Sequence, residues 1–265
     1  MNKILPRIAA FAVAALLLAG CASTQEQDET KGWSAEKIYN EAKSEQTAHN
    51  WDHSTKLFEA LEARYPYGRF AQQALLEMAY NQYKNLDSQP ALASLDRFMK
   101  QYPAHPSMDY ALYLKGLVNF NDTQGFLSAL AKQDMAERDP KSARDSFDAF
   151  KELIDRYPDS KYAEDSRTRM AYLVGALANH ELYVAKYYYR RGAYLAAANR
   201  GKGLLENFGN TKQVEPALGI MVRSYDKLGL TELRDDAKRV LLKNYPNTVV
   251  LEDSYWTTGS WWKLW

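Results

Sequence analysis

The sequence predicts an all-α protein built as a solenoid of about five helix–turn–helix repeats. Three observations predict it. Four of the nine prolines follow a tyrosine, at Tyr65-Pro66, Tyr102-Pro103, Tyr157-Pro158 and Tyr245-Pro246. Apolar residues stand before these prolines at the three, four and seven spacing of one helix face. Glycine and proline are otherwise sparse, 13 and 9 in 265 residues, while Ala, Leu, Glu, Lys and Arg abound.

The chain opens MNKILPRIAAFAVAALLLAGC. Lys3 and Arg7 form a short positive segment, and residues 8–18 are apolar. That stretch is shorter than the roughly 20 residues that span a bilayer, and it has the layout of a secretory signal. It ends in Leu18-Ala19-Gly20-Cys21, which resembles the lipobox of bacterial lipoproteins. The resemblance implies cleavage after residues 1–20 and acylation of Cys21. Cys21 is the single cysteine, so no disulfide forms within the chain. Several acyl chains hold a protein on a membrane almost permanently. Ala22 and Ser23 follow the cysteine where an Asp would mark inner-membrane retention, which implies the outer membrane. Residues 21–32 are polar and read as a flexible tether. No later run is continuously apolar over a spanning length, so the expectation is an anchored, non-spanning chain.

Charge narrows the partners. The sequence has 34 lysines and arginines, two of them (Lys3 and Arg7) in the leader, against 33 acidic residues. The mature chain is thus nearly neutral, and nucleic acid is not an expected partner.

The solenoid is expected over residues 33–249. Unit one has a first helix from Ser34 to Thr47, with Ser34 as N-cap and Lys37 at N3, so without a capping box. Its second helix ends at Tyr65-Pro66, with Phe58, Leu61 and the polar exception Glu62 ahead. Proline lacks an N–H and disfavours helical geometry in the residue before it, so the helix stops there. Unit two runs from Phe70 to Lys84 and then through Leu95, Phe98 and Met99 to Tyr102. Unit three opens over Pro106 to Phe120 and ends through Phe150, Leu153 and Ile154 at Tyr157, with an insert at 119–140. Residues 161–191 exceed one ordinary first helix and are read as two, parting near Gly175 or Asn179. Unit four closes with Leu204, Leu205 and Phe208 before Gly209, a disguised terminator. Unit five ends at Tyr245, with Lys238 a second polar exception beside Leu241 and Leu242. Gly192 and Gly229, each seventeen residues before a terminator, provide the turn between two antiparallel helices. Small residues twelve before the terminator (Ser54, Ala91, Ser146 and Ala197, with Arg234 the exception) allow close helix approach. Asp159-Ser160, Asn210-Thr211 and Asn247-Thr248 offer helix caps after three terminators. Glycine, an aromatic, a small residue and proline in this order resemble the second half of the tetratricopeptide (TPR) pattern, making the fold a TPR-like solenoid.

Longer segments resemble one family. ALYLKGL (111–117), QGF (124–126) and RDPKSARDSFDAFKELIDRYPDSKYAEDSRTRM (138–170) are similar to the BamD (ComL) family, as are RYPYGRFAQQALLEMAYNQYKN (64–85), DRFMKQYPAHPSMDYALY (96–113) and AKYYYRRGAYLAAANRGKGLLENF (185–208). The resemblance covers the lipobox to about residue 249; the tail at 250–265 departs from it. It implies a non-enzymatic TPR lipoprotein of the β-barrel assembly (BAM) machinery of the outer membrane. It further implies binding to the periplasmic POTRA region of a BamA-like barrel subunit through the C-terminal units. Other BAM lipoproteins are implied partners, and the N-terminal units are implied to receive unfolded outer-membrane proteins. The alternative is another TPR lipoprotein, such as a pilotin assisting a pilus secretin.

Site candidates follow. Tyr80, Tyr83 and Lys84, with Tyr110, Tyr113 and Lys115, lie on first helices, which line the concave face of TPR arrays. Aromatic rings there suit an extended, aromatic-ending peptide, and a basic group suits its carboxylate. Packing between helices is the competing role for each tyrosine. Arg190, Arg191 and Arg200 flank the turn of unit four, and Arg191 and Arg200 match arginines of the family motif. They are candidates for carboxylates of the barrel subunit; a solvated face, or a bond to Glu206 or a helix end, is the other reading. His49 and His53 have no evident third partner for a metal site, and His105 reads as structural. No catalytic motif, phosphate loop or metal motif is present, and no cofactor is expected beyond lipid on Cys21. Trp256, Trp261, Trp262 and Trp265 crowd the tail, either covering the end of the last unit or contacting a partner or membrane.

Overall fold

The computed structural model describes residues 29–124 and 140–258. Its helices form five antiparallel pairs. Unit one is α1 (Ala35–Thr47) and α2 (Trp51–Arg64), and unit two is α3 (Arg69–Lys84) and α4 (Ser88–Gln101). Unit three is α5 (Met108–Gln124) and α6 (Lys141–Arg156), and unit four is α7 (Ala163–Arg190) and α8 (Tyr194–Phe208). Unit five is α9 (Val214–Lys227) and α10 (Thr231–Asn244), followed by the short α11 (Asp253–Thr258). The all-α, TPR-like solenoid is therefore the observed architecture.

The terminators behave alike. Tyr65, Tyr102, Tyr157 and Tyr245 each close a helix with φ between −134° and −126° and ψ between 57° and 71°. Their backbone N–H groups still donate to Leu61, Phe98, Leu153 and Leu241. The carbonyl acceptors belong to the residue five before each proline, whose side chain is fully buried. One turn thus fixes both where the helix ends and which face enters the core. The polar exceptions have local reasons. Glu62 accepts from Arg97 at 2.6 Å, joining α2 to α4, and Lys238 is exposed because no further repeat packs over it.

The turn inside each unit also repeats. Gly192 and Gly229 have φ of 75° and 69°, and His49 and Leu86 occupy the same seventeen-residue offset with φ of 62° and 65°. In every case the next N–H reaches back five residues: Asn50 to Glu45, Asp87 to Gln82, Ala193 to Tyr188 and Leu230 to Tyr225. This closure is the Schellman type, which demands a left-handed residue. Glycine is free there, whereas His49 and Leu86 bear the strain of a Cβ.

Close approach is built from small residues. Ser54, Ala91, Ser146 and Ala197 are all completely buried. The Ser54 hydroxyl donates to the Ala42 carbonyl at 2.7 Å, and Ser146 donates to the Gly116 carbonyl at 2.9 Å. A Cβ at Gly116 would stand 2.3 Å from the Phe150 ring, so α5 and α6 touch there only because the side chain is absent. Arg234, the exception, turns outward to Asp226 and Asp235.

Three expectations are corrected. The 161–191 segment is one helix, α7, of 28 residues, with no break at Gly175 or Asn179. Leu173, Leu177, Ala178, Leu182 and Ala185 make one buried stripe through the supposed break, and burial outweighs the roughly 1 kcal/mol cost of a helical glycine. Asn179 accepts a hydrogen bond from Gln213 at 2.6 Å instead of capping a helix. Second, α5 begins at Met108, after a turn in which Met108 N–H donates to the His105 carbonyl. Third, Ser160, Thr211 and Thr248 sit in the connecting turns rather than at helix caps. Ser160 and Thr248 accept from the N–H groups of Tyr162 and Val250, while the Thr211 hydroxyl donates to the Phe208 carbonyl.

The two ends of the array are covered differently. At the start, Thr30 is 2% exposed, and Arg64 donates to its carbonyl. His53 bridges Glu29 at 2.6 Å and Glu45 at 3.4 Å. At the end, Trp256 is 4% exposed, packs over Gly219 and donates its indole N–H to the Val250 carbonyl. Trp256 thus takes the covering role; Trp261, Trp262 and Trp265 lie outside the described residues. Cys21, the leader, the tether up to residue 28 and the 125–139 part of the insert lie there as well.

Two outcomes are expected. Leu86→Gly removes left-handed strain from a side chain that is 73% exposed, and should raise stability by about 0.5–1 kcal/mol in chemical denaturation, the relieved strain exceeding the added chain entropy. For His53, the hydrogen bond to Glu29 leads the causes that raise its pKa, with Glu45 adding to it. A raised folded-state pKa means that the clasp is fully present below the unfolded value and is lost as pH rises through the folded one. Amide exchange at residues 30–33, corrected for intrinsic rate, should therefore be slower at acidic than at alkaline pH, and His53→Gln should abolish that difference.

Candidate functional site

The first helices of units one to three enclose a cleft of about 400 Å³. Lys43 and Gln46 line it from α1, and Gln73, Leu76, Glu77 and Tyr80 from α3. His105 and Ser107 in the connecting turn and Tyr110 of α5 complete it. Of the six predicted groove residues, only Tyr80 and Tyr110 line this cleft. Tyr80 meets Trp51 edge-on at 6.1 Å, and Tyr110 packs on Tyr162 at 5.7 Å. Burial, and then the Glu77 charge, push the Tyr110 hydroxyl far above the usual phenol range, so it remains a neutral donor.

The other four point elsewhere. Tyr83 is half-buried against the core of units two and three. Tyr113 stacks on Tyr162 with ring centres 4.5 Å apart and donates to Asp165 at 2.8 Å. Burial and that hydrogen bond push its pKa up to about 12. Burial disfavours the Asp165 charge, but hydrogen bonds from Arg169 and Tyr113 outweigh it and hold the carboxyl below its usual range. Tyr113 is therefore a packing residue. Lys84 lies over the Trp51 ring at 6.0 Å. Lys115 donates to Asp96 at 2.7 Å and lines a separate cleft with Asp145, Asp148 and Glu152.

The polar floor of the first cleft escaped the sequence reading. Gln46 donates to Glu77 at 2.9 Å and to Asn81 at 2.7 Å. Asn81 in turn donates to Ser54 at 2.8 Å, and Ser54 to the Ala42 carbonyl. Lys43 donates to Glu77 at 3.1 Å and also to Gln46. Asn81 and Ser54 are fully buried and Gln46 nearly so. The side-chain pairs that join one helix to another here lie 27 to 35 residues apart in sequence, where periodicity carries no signal.

The three candidate arginines do not converge. Arg190 and Arg191 end α7, with Arg191 exposed. Arg200 of α8 donates to Glu181 at 3.0 Å. Glu181 lies nine residues before Arg190 on α7, about 13 Å along the axis. Glu206 pairs with Lys202 instead. Among the described residues, no three of His, Cys, Asp and Glu gather as metal ligands, and no helix is long and apolar enough to cross a membrane.

Comparison with known proteins bears on this arrangement. A family model described as "Outer membrane lipoprotein" (YfiO) matches residues 32–241. A relative from Neisseria meningitidis serogroup A is 45% identical over 94% of this chain and 96% of its own length, and is named outer membrane protein assembly factor BamD. The chain belongs to the BamD family. Members of the same name from Xylella fastidiosa (strain 9a5c) and Vibrio cholerae are each 35% identical, over 93% and 86% of this chain and 82% and 94% of their own. The match to the family model covers units one to four and most of unit five, so the cleft and the unit-four turn both lie within family sequence.

Asn81→Ala is expected to cost about 2–3 kcal/mol, because it leaves a cavity and removes both hydrogen bonds that link Gln46 to Ser54. Urea unfolding followed by circular dichroism measures it.

Proposed function

We propose that the chain is an outer membrane protein assembly factor, anchored through lipid on Cys21 at the periplasmic face of the outer membrane. It acts as a scaffold and needs no catalytic group. Units four and five bind the POTRA region of a BamA-like barrel subunit, and other BAM lipoproteins dock on the array. The cleft of units one to three receives unfolded outer-membrane proteins on their way to insertion. The observation that carries this reading is the shared sequence with assembly factors of that name over almost the whole chain.

The cleft has the chemistry for such a role. Tyr80 and Tyr110 offer ring faces and hydroxyls, and the buried amide network below keeps the walls in place. An extended chain brings unpaired backbone donors and acceptors, which Gln73, Ser107 and the tyrosine hydroxyls can meet. Lys43 is the basic group nearest such a ligand, in place of Lys84 or Lys115. It is shared with Glu77, so it favours a terminal carboxylate only weakly.

Affinity purification of the detergent-solubilised, tagged protein tests the reading. A POTRA-containing barrel protein should co-purify; recovery of a pilus secretin without one would sink it. Arg191→Glu should weaken the complex with the POTRA region roughly tenfold, with an unchanged melting temperature. Arg200→Glu is a poorer probe, because it sets a carboxylate against Glu181 and disturbs the array itself.

A further inference from the structure

Tyr67 is 92% exposed, in the turn between α2 and α3. Pro66 precedes it and Gly68, with φ of 98°, follows it. A single open ring needs no explanation, but this one belongs to an edge of rings and cations. Trp33, just ahead of α1, is half-buried, and its carbonyl accepts from the Tyr65 hydroxyl at 2.7 Å. The exposed Lys37 lies over the Trp33 ring at 4.0 Å, and the exposed Arg69 over the Phe70 ring at 4.9 Å. Phe70 in turn meets Tyr39 of α1 at 5.5 Å. The start of α1, the end of α2 and the start of α3 thus share one edge. The chain also enters the fold there. Thr30 is 2% exposed, and its carbonyl accepts from the Trp33 N–H and from Arg64. Cys21 is nine residues before Thr30. Even a fully extended chain of that length reaches only about 32 Å, less than the roughly 42 Å of α7 alone.

We propose that this edge, through Trp33, Lys37, Tyr67 and Arg69, rests in the phospholipid headgroup layer of the membrane that holds the lipid anchor. The proposal rests on the reading of Cys21 as that anchor and adds a second, folded contact beside it. The short tether selects the occupant, because it keeps lipid at this edge at a high effective concentration. The residue types suit it. Trp and Tyr favour the headgroup level, where one end of the ring is apolar and the other wet. Lys and Arg lay their stems along rings and set their charge on lipid phosphates. Net charge has the smaller part: Lys31, Lys37 and Arg69 are offset by Glu36 and by Glu26 and Asp28 of the tether. Ring insertion therefore leads, and anionic lipid adds little. Two attachments fix an orientation that one leaves open. A chain held by Cys21 alone swings about it, whereas a seated edge sends α1 away from the bilayer. Lys43 of the cleft then stands about 9 Å farther along the α1 axis than Lys37, so the cleft keeps a set height above the lipid.

The test reconstitutes the full lipidated chain into phosphatidylethanolamine–phosphatidylglycerol vesicles that carry a headgroup-level quencher. With the Cys21 thiol acylated, a cysteine placed at Glu36 or at Thr47, both exposed and at opposite ends of α1, takes a thiol-reactive fluorophore alone. The label at Glu36→Cys should be quenched at least roughly threefold more than the label at Thr47→Cys, which lies about 16 Å away along the helix. Adding Tyr67→Ser to Glu36→Cys should remove most of that excess with an unchanged melting temperature, since the ring is exposed, and Tyr67→Trp should keep it. Equal quenching at the two positions, or no response to Tyr67→Ser, would overturn the seated edge and leave the anchor standing, provided the chain still floats with the vesicles. Loss of the excess in vesicles of phosphatidylcholine alone would overturn ring insertion as the leading contact. Failure of the unsubstituted chain to float with vesicles would overturn the anchor reading and this one with it.

Discussion

Everything in the array depends on where each second helix is made to stop. Proline at the next position forces the preceding tyrosine out of helical geometry, and four such tyrosines reach nearly the same φ and ψ. A helix that stops at a fixed place presents its apolar face in a fixed rotation, because each residue turns the face by a constant angle. The residue five before the proline is then always in the core. From that follow the stacking of units, the placing of first helices along one side and the cleft they enclose. Gly209 shows the limit of the rule: α8 ends there with helical φ and ψ of −58° and −16°, without a proline, and the same face is still buried.

Much of this was legible in the sequence because it is local and repeated. Offsets of one to seventeen residues from the terminators located the core positions, the close-packed small residues and two of the turns. The left-handed positions of His49 and Leu86 carry no glycine, so the residue types themselves give no sign of a positive φ. Their offset was the only available sign. The long helix α7 was misread because length alone suggested two helices. Its buried stripe continues past Gly175, and tertiary burial decided the matter. The helix-to-helix side-chain pairs of the polar floor and the Arg200–Glu181 pair join residues 19 to 35 positions apart, and no periodicity connects such pairs.

The candidate site divides along similar lines. Placing the tyrosines on first helices was sound, but which of them face the cleft depends on rotation within a helix. Tyr80 and Tyr110 face it; Tyr113, three residues beyond Tyr110, is drawn to Tyr162 and Asp165. The two charged clefts also differ in character. One sets Lys43 and Glu77 above buried amides, and the other sets Lys115 and Lys141 among Asp96, Asp145, Asp148 and Glu152.

The 28-residue α7 has a mechanical consequence. Arrays of short repeats behave like springs, each coil bending against its neighbours and melting nearly alone. Here one rod of about 42 Å is packed by α6 of unit three, α8 of unit four and α9 of unit five. Units three to five therefore share a spine, while units one and two lack one. Flexing of the array should concentrate ahead of α7, in units one and two, and the half beyond should move as a single stiff arm. A pull on the N-terminal end of unit one would open the first coils long before it reached the arm.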